Sequence, residues 1–512
     1  MTVTAPPRAA PLLRLHPADS VVVARADVGP EADLSALGLP SPRSRIRRGH
    51  KMAVAHIAKG DAVRKYGQVI GVASADILPG EHVHLHNLAM GEAENDYAIG
   101  TEVIPMEQAV GATFDGYPRA DGRAGTRNYI LVISSVNCSA TVSRRIAAHF
   151  STPEARRAWP ALDGVIGLTH GGGCALDMGS EGYHLLTRSI AGYAANPNVG
   201  GVLMVGLGCE TNQIPILLER QGLATGDRLR TFTIQDSGGT RASVDAGVEA
   251  VAALADAMGH QKRVPVPLSA LTLGLQCGGS DGYSGITANP ALGVAADILV
   301  RNGGTAVLSE TPEIYGAQHL LTRRAVSGEV ARKLLDRIEW WRDYTHRNGA
   351  TLDNNPSFGN KQGGLTTILE KSLGAVAKGG SSPLVDVVGY GERIGTGGLI
   401  FMDTPGYDPV SATGQIAGGC NLVAFTTGRG SVSGFKPAPT VKIATNSQMY
   451  DRMSDDMDLN CGPIIEGEMT IEEAGQAIFD MLVAVASGAP TKSELLDYGD
   501  NEFVPWPMGA VL

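Results

Sequence analysis

The 512-residue chain has few aromatics, 5% Phe, Trp and Tyr, and only six cysteines. Cys138, Cys174, Cys209, Cys277, Cys420 and Cys461 are too scattered for the disulfide framework of a small secreted domain. No stretch approaches the roughly 18 uninterrupted apolar residues of a membrane span. The first 15 residues, MTVTAPPRAAPLLRL, hold no apolar run of signal-peptide length. A reducing cytoplasm is therefore expected, with thiols free to bind metal. Basic residues are in deficit: 42 Lys and Arg against 52 Asp and Glu leave a net charge of −10. That argues against nucleic acid as a general partner. An anionic ligand would need a local cationic or metal-centred site. Short-period repeats and low-complexity tracts are missing as well.

Glycine is abundant, at 66 residues, within a chain that is 43% hydrophobic. This suits an α/β protein with many tight strand-to-helix turns, long enough for roughly three domains. Residues 15–92 read as short strands broken at Lys59-Gly60-Asp61 and Pro79-Gly80-Glu81, a small all-β module. An acidic linker, 93–115, follows. In 116–262, YILVISSV, GVIGLTH and GVLMVGLG alternate with helical SRRIAAHF, the 180s and QIPILLERQG, the βαβ pattern of a parallel sheet. Residues 263–512 repeat the logic with LTLGLQ, TAVLSE, LIFMDT, LVAFTT and TVKIATNS as strands. The expected fold class is α/β: an all-β N-terminal domain, then two α/β domains with mostly parallel sheets.

Strand after strand ends in a reactive side chain: Cys138, His170 through Cys174, Cys209-Glu210, Cys277 through Asp281, Glu310, Asp403 and Arg429. Ligands of open α/β sheets bind outside the carboxyl ends of the strands, so these groups are expected to share one or two clefts. A single free cysteine is more often packing than ligand; four successive strand-end cysteines, three of them beside glycine, are harder to assign to packing. Thiolates suit either a mononuclear iron or an iron–sulfur cluster, and the spacing does not choose between them. In His170-Gly171-Gly172-Gly173-Cys174, the glycines would let backbone N–H groups approach a carboxylate at a helix start; the bland alternative is an ordinary turn. Cys277-Gly278-Gly279-Ser280-Asp281 has the same character. His82, His84 and His86, at period two, would share one strand face, for metal or proton exchange. His50 and Lys51 follow the basic run from Arg43 to Arg48. Lys361 sits in the turn-rich NNPSFGNKQGG. Surface charge is the plainer reading of the last two.

At these residues the chain resembles the altronate/galactarate dehydratase family. The resemblance rests on GYPRADGRAGTRNY from Gly116, GLGCE (206–210), QCGGSDGYSGITANPALG (276–293), NPSFGNKQGGL (355–365), FTTGRG (425–430) and DMDLNCG (456–462). It runs from about Lys51 to Gly462, and the β-rich start looks like that family's SAF-type domain. Phe358 departs from the family's usual proline, and the HxH run is closer to altronate-type members. Related sulfo-lyases acting on sulfolactate share the architecture.

The resemblance implies dehydration of a small-molecule sugar acid to a 2-keto-3-deoxy acid, with Fe(2+), or Mn(2+) or Mg(2+), as cofactor. An iron–sulfur cluster stays open. In such a β-elimination a metal stabilises the developing enediolate, and a base stands within hydrogen-bond reach of the proton. Under this reading Cys138, Cys174, Cys209, Cys277 and Glu310 are metal ligands or their neighbours. His170, His50, His84, His86 and Lys361 are candidate acids, bases or carboxylate holders. Arg429, Lys51, Ser280, Asp281, Gly172 and Gly173 would bind substrate. A homodimer is expected. A nicotinamide oxidoreductase would need G-x-G-x-x-G; Gly428-Arg-Gly430-Ser-Val-Ser433 lacks the third glycine. A non-catalytic sugar-acid binder would make no keto acid.

Overall fold

The computed structural model describes residues 10–91, 97–109 and 111–508. Seven short strands open the chain: β1 (Leu12–Leu13), β2 (Val21–Ala24), β3 (Lys51–Ala53), β4 (Ala62–Lys65), β5 (Gln68–Ala73), β6 (His82–Val83) and β7 (Leu88–Ala89). They pair antiparallel in two sheets, ordered β1-β2-β3-β6 and β4-β5-β7. Gly60 and Gly80 take φ of 91° and 82° at the turns, where a side chain would be strained. Of the expected linker, residues 93–96 and 110 lie outside the described residues. Its part from 97 to 109 lies along the third domain: Gly100 N–H donates to Thr322 O at 3.1 Å, and Ala109 N–H to Arg301 O at 2.8 Å.

A ribbon of β8 (Thr113–Pro118), β9 (Ala124–Gly125) and β14 (Val264–Pro267), ordered β14-β8-β9, joins the starts of the two larger domains. The second domain is a parallel sheet of β10 (Tyr129–Ser134), β11 (Gly164–Leu168), β12 (Val199–Gly206) and β13 (Leu229–Thr233), ordered β11-β10-β12-β13. All six residues of β10 are buried, because helices cover both faces of a parallel sheet. Ala140–His149 and Thr240–Met258 pack on Ile130, Val132, Leu203 and Val205. Glu181–Ala194 and Ile214–Gln221 pack on Leu131, Ile133 and Met204.

The third domain has seven parallel strands: β15 (Thr272–Cys277), β16 (Thr305–Leu308), β17 (Leu384–Val388), β18 (Gly398–Met402), β19 (Leu422–Thr427), β20 (Thr440–Ala444) and β21 (Leu459–Asn460). Their order is β17-β18-β16-β15-β19-β20-β21. Helices Ala288–Arg301 and Ile471–Ala486 lie on Leu273 and Leu275. Val63, Ile70 and Val83 of the N-terminal domain belong to the same buried cluster, so the small domain shares its core with the third.

Both parallel sheets reverse direction beside their first strand. β10 has β11 on one side and β12 on the other; β15 has β16 and β19. At such a switch point the flanking connections diverge and leave a crevice over the carboxyl ends of the strands. Among the described residues no helix is long and apolar enough to cross a membrane.

Candidate active site

The crevice at β15 and β19 receives Gly278–Asp281 from one strand and Gly428–Arg429 from the other. Gly428 and Arg429 N–H both donate to Gly279 O, at 3.1 and 2.8 Å. Asp281 accepts from Thr445 Oγ1, Asn446 Nδ2, Ser284 Oγ and Tyr283 N–H, each at 3.1 Å. Its carboxylate ties its own loop to that of Thr445 and Asn446, and Asn446 Nδ2 also donates to Gly428 O at 3.1 Å. Burial raises its pKa, against the lowering effect of those bonds. A cavity of about 230 Å³ opens here, lined by Arg47, Arg48, Arg429 and Arg452 with His50, Asp27 and Asp281. Four guanidinium groups against two carboxylates make it cationic in an acidic chain, the kind of local site an anionic ligand would need.

The N-terminal domain closes one side. Gly364, at φ 106°, and Gly282 have no room for a Cβ against Gly49 O, so the domains meet backbone to backbone. His50, His82, His84 and His86 gather there. Ring centroids are 5.1 Å apart for His50–His82 and His50–His84, 5.4 Å for His82–His84 and 5.5 Å for His82–His86. The strand expected to align the last three ends at Val83. A turn follows, with Asn87 N–H on His84 O, so the rings meet through the turn and not through period-two alternation. His50 Nδ1 lies 3.0 Å from His82 Nε2, and His50 Nε2 lies 3.2 Å from Gln362 O. His84 Nε2 reaches Lys361 O at 2.9 Å. Burial, then mutual repulsion, lowers the pKa of His50 to about 4 and of His82 to about 3. These rings are neutral at pH 7.

On the β16 side of β15 lies a buried charged group. Cys277, Glu310 and Glu313 bring a sulfur and two carboxylate oxygens within 4.8 Å of one another. Lys378 Nζ is 2.9 Å from both Cys277 Sγ and Glu310 Oε2. Lys371 Nζ is 2.5 Å from Glu313 Oε1, which also accepts from Asn355 Nδ2 at 2.7 Å. Burial raises Cys277 to about 12, Glu310 to about 8 and neighbouring Asp408 to about 7. Three carboxylates face two ammonium groups, and Glu310 Oε1 is buried with no hydrogen-bond partner among the described residues. A cation bound there would replace the protons that burial favours on Glu310 and Asp408 and would meet the orphaned acceptor. The loop 355–363 ties the two regions together. Asn355 holds Glu313 and Lys371, Asn360 Nδ2 donates to Ser280 O at 2.9 Å, and Gln362 O meets His50.

The structure brings Cys277 and Glu310 together and places Arg429, His50, Asp281 and Ser280 around the crevice. Other residues named from sequence lie elsewhere. Lys51, expected to meet substrate, is fully buried between Glu370 (2.8 Å) and Gly364 O (2.7 Å); it ties domains together. His170 uses both ring nitrogens, with Nε2 on Ser134 O at 3.0 Å and Nδ1 accepting from Gly172 N–H at 3.2 Å. Burial holds it at about 4, so it braces a turn. Gly172 and Gly173 do not start a helix, because the next one begins at Glu181. Gly173, φ 99°, is packed against Ser135 O and Val136. Lys361 offers its carbonyl to His84. Cys138, Cys174 and Cys209 sit at the ends of the four-stranded sheet, apart from Cys277 on the seven-stranded one. Asp403 accepts from Trp341 Nε1 at 2.8 Å and Thr311 Oγ1 at 2.5 Å. Glu313, Lys371, Lys378 and Asp408 escaped the sequence reading. Lys371 and Lys378 stand seven apart in EKSLGAVAK, a spacing that puts two side chains on one helical face, although the α-helix ends at Val376 and Lys378 lies in the tighter turn that follows.

Fold and site define an α/β protein with a cationic crevice backed by a cation-seeking carboxylate group. Three family descriptions match it in tandem: "Altronate/galactarate dehydratase SAF domain" over residues 10–91, "D-galactarate dehydratase/Altronate hydrolase, second domain" over 116–259, and "D-galactarate/Altronate dehydratase, C-terminal" over 268–511. Altronate dehydratase of Escherichia coli K12 is 38% identical over 492 residues, covering 95% of this chain and 97% of that one. Altronate dehydratase of Bacillus subtilis 168 is 36% identical, covering 96% and 97%. Galactarate dehydratase (L-threo-forming) of E. coli K12 is 36% identical, covering 93% and 92%. The chain belongs to the altronate/galactarate dehydratase family.

Proposed function

We propose that the protein is a hydro-lyase that dehydrates a sugar acid, with altronate the first choice and galactarate the alternative. The carrying observation is the arginine-lined crevice at the β15/β19 switch point, closed by neutral histidines. Two of the relatives act on altronate by name and one on galactarate.

The guanidinium groups of Arg429 and its neighbours suit a carboxylate, which accepts two parallel N–H bonds from one Arg. Fixing the carboxylate directs the adjacent C–H toward the histidine group. A histidine of this group takes that proton, and the 3.0 Å contact between His50 Nδ1 and His82 Nε2 lets two of the rings share a proton. Hydroxide leaves the next carbon, and the enol becomes the 2-keto-3-deoxy acid; one proton and one hydroxide are lost, together water. A divalent cation, Fe(2+) first, would be held by Cys277, Glu310 and Glu313 and would supply charge stabilisation for an oxygen that becomes anionic. Asp281 keeps the arginine-bearing loop in register. The protein acts in the cytoplasm as a homodimer in this reading, and sedimentation velocity measures the second point.

The test is anaerobic turnover of purified protein with ferrous iron, offering altronate, galactarate and sulfolactate separately. Keto acid is followed as its semicarbazone. Keto acid from altronate or galactarate, lost in Arg429→Ala, supports the reading. Turnover of sulfolactate alone, or binding without product, overturns it.

A further inference from the structure

The second domain carries its own switch point, between β10 and β12, and three of the six cysteines stand over it. Cys138 follows β10, Cys174 follows neighbouring β11, and Cys209 follows β12; all three are free and exposed, whereas Cys277, Cys420 and Cys461 are buried. Adjacent strands are about 4.8 Å apart, so the three loops leave the sheet side by side. They are also bonded to one another. Asn137 N–H donates to Gly172 O at 2.9 Å, and Asn212 N–H to Gly173 O at 3.0 Å. Asn212 Nδ2 donates to Ser135 O at 2.9 Å. Each bond lies one to three residues from a cysteine.

The loops use left-handed backbone, at one position without glycine. Ala175, next to Cys174, has φ 54°, and Gly173 and Gly208 have φ 99° and 128°. Glu210 folds back to accept from Leu207 N–H (3.1 Å), Gly208 N–H (2.7 Å) and Ser135 Oγ (2.6 Å), which pins the Cys209 turn. Gln235 Nε2 donates to Cys209 Sγ at 3.4 Å, the kind of bond that tunes a metal-bound sulfur. Asn212 Oδ1 is buried beside these loops with no partner among the described residues.

We propose that Cys138, Cys174 and Cys209 hold an iron–sulfur cluster of the [4Fe–4S] type, with one iron left free of protein ligand. Two features select a cluster over a single ion. The donors are all thiols, which suit iron with sulfide. The spacing is also too wide for one centre. Sulfurs bound at about 2.3 Å to one ion cannot be more than about 4.6 Å apart. Among the described residues only Cys277, Glu310 and Glu313 close to within 4.8 Å. Three thiolates on four irons leave one coordination site for an oxygen ligand such as a hydroxyl or carboxylate. This centre is separate from the cation site at Cys277, and its assembly does not depend on the sugar acid named above.

The test uses the full chain, reconstituted anaerobically with ferrous iron and inorganic sulfide and freed of unbound ions. Iron, acid-labile sulfide, visible absorption and the electron paramagnetic resonance of the dithionite-reduced protein are measured without substrate. About four labile sulfides per chain are expected, with about four irons beyond the one that the Cys277 site would hold. Cys138→Ala, Cys174→Ala and Cys209→Ala should each lower labile sulfide at least fivefold, and the triple variant should abolish it. These thiols are exposed, so the variants should keep the parent's circular dichroism and melting. Cys420→Ala should keep its sulfide. Iron or zinc bound at one ion per chain without sulfide overturns the proposal. So does undiminished labile sulfide in the triple variant. Because the readout is stoichiometry and spectrum, a missing keto acid leaves this result standing, and the reverse.

Discussion

Replacing Glu370 by Gln tests the joint that holds the N-terminal domain over the crevice. Glu370 is completely buried and receives Lys51 Nζ at 2.8 Å and Lys65 Nζ at 2.9 Å, both from the N-terminal domain. Thr366 adds N–H and Oγ1 donors at 3.0 and 2.6 Å. Burial alone would raise the carboxyl pKa, but the two ammonium groups pull it far below the usual range. Burial lowers Lys51 to about 8, because one carboxylate serves two lysines. Gln keeps the volume and the bond to Thr366 but leaves two ammonium groups in the interior without an anion. Breaking a buried pair this way costs about 3–5 kcal/mol, or roughly a hundredfold to a few thousandfold in the opening equilibrium. Hydrogen exchange read by mass spectrometry should show it as faster exchange at Lys51–Ala53 and Ala62–Lys65, with Tyr129–Ser134 unchanged, a local opening and not global unfolding. The apolar triple replacement of Lys51, Lys65 and Glu370 should restore protection. A change below about tenfold at the two strands, or equal loosening of both domains, would refute the reasoning.

Arg429→Ala should raise KM about 10- to 100-fold, the loss of a charged hydrogen bond worth about 1.5–3 kcal/mol; steady-state kinetics measures it, and an unchanged KM removes Arg429 from the carboxylate. His50 and His82 have folded pKa values below the ordinary 6.5, so the unfolded chain binds more protons. Stability is therefore complete above about pH 6.5 and falls as pH drops through the window down to about 3, by several kcal/mol after allowing for solvent screening. Denaturant titrations from pH 7 to 4.5 should show that loss, reduced in His50→Gln. Lys378→Met takes the hydrogen-bond donor from buried Cys277 Sγ and Glu310 Oε2 and should cost about 1–3 kcal/mol, seen as a lowered denaturation midpoint; parent stability would contradict those contacts. Asp281→Ala leaves the Thr445, Asn446 and Ser284 donors unpaired and should cost several kcal/mol, with limited proteolysis near 428–446 as the check.

Much of the architecture could be read from pattern. The apolar runs of β10, β12, β15 and β19 are buried on both faces, so their continuous hydrophobicity marks a parallel sheet directly. Strand ends carrying Cys277, Glu310 and Arg429 were visible for the same reason: the polar residue appears where the buried run stops. The partners of those residues were not visible. Lys378 reaches Cys277 from 101 positions away, and no local period encodes such a meeting. The histidine run misled in one respect, since period two in sequence became a turn once Asn87 bonded back to His84.

The order of apolar, glycine and reactive residues along the chain determined the fold class, the strand ends and the reactive groups at them, because hydrophobic period and turn chemistry are local properties. Tertiary structure decided which groups meet. The order in which strands add to a sheet is set by long-range packing. That order sent Cys277 and Glu310 to one switch point and Cys138, Cys174 and Cys209 to another, buried Lys51 in an ion pair, and folded four histidines over the crevice.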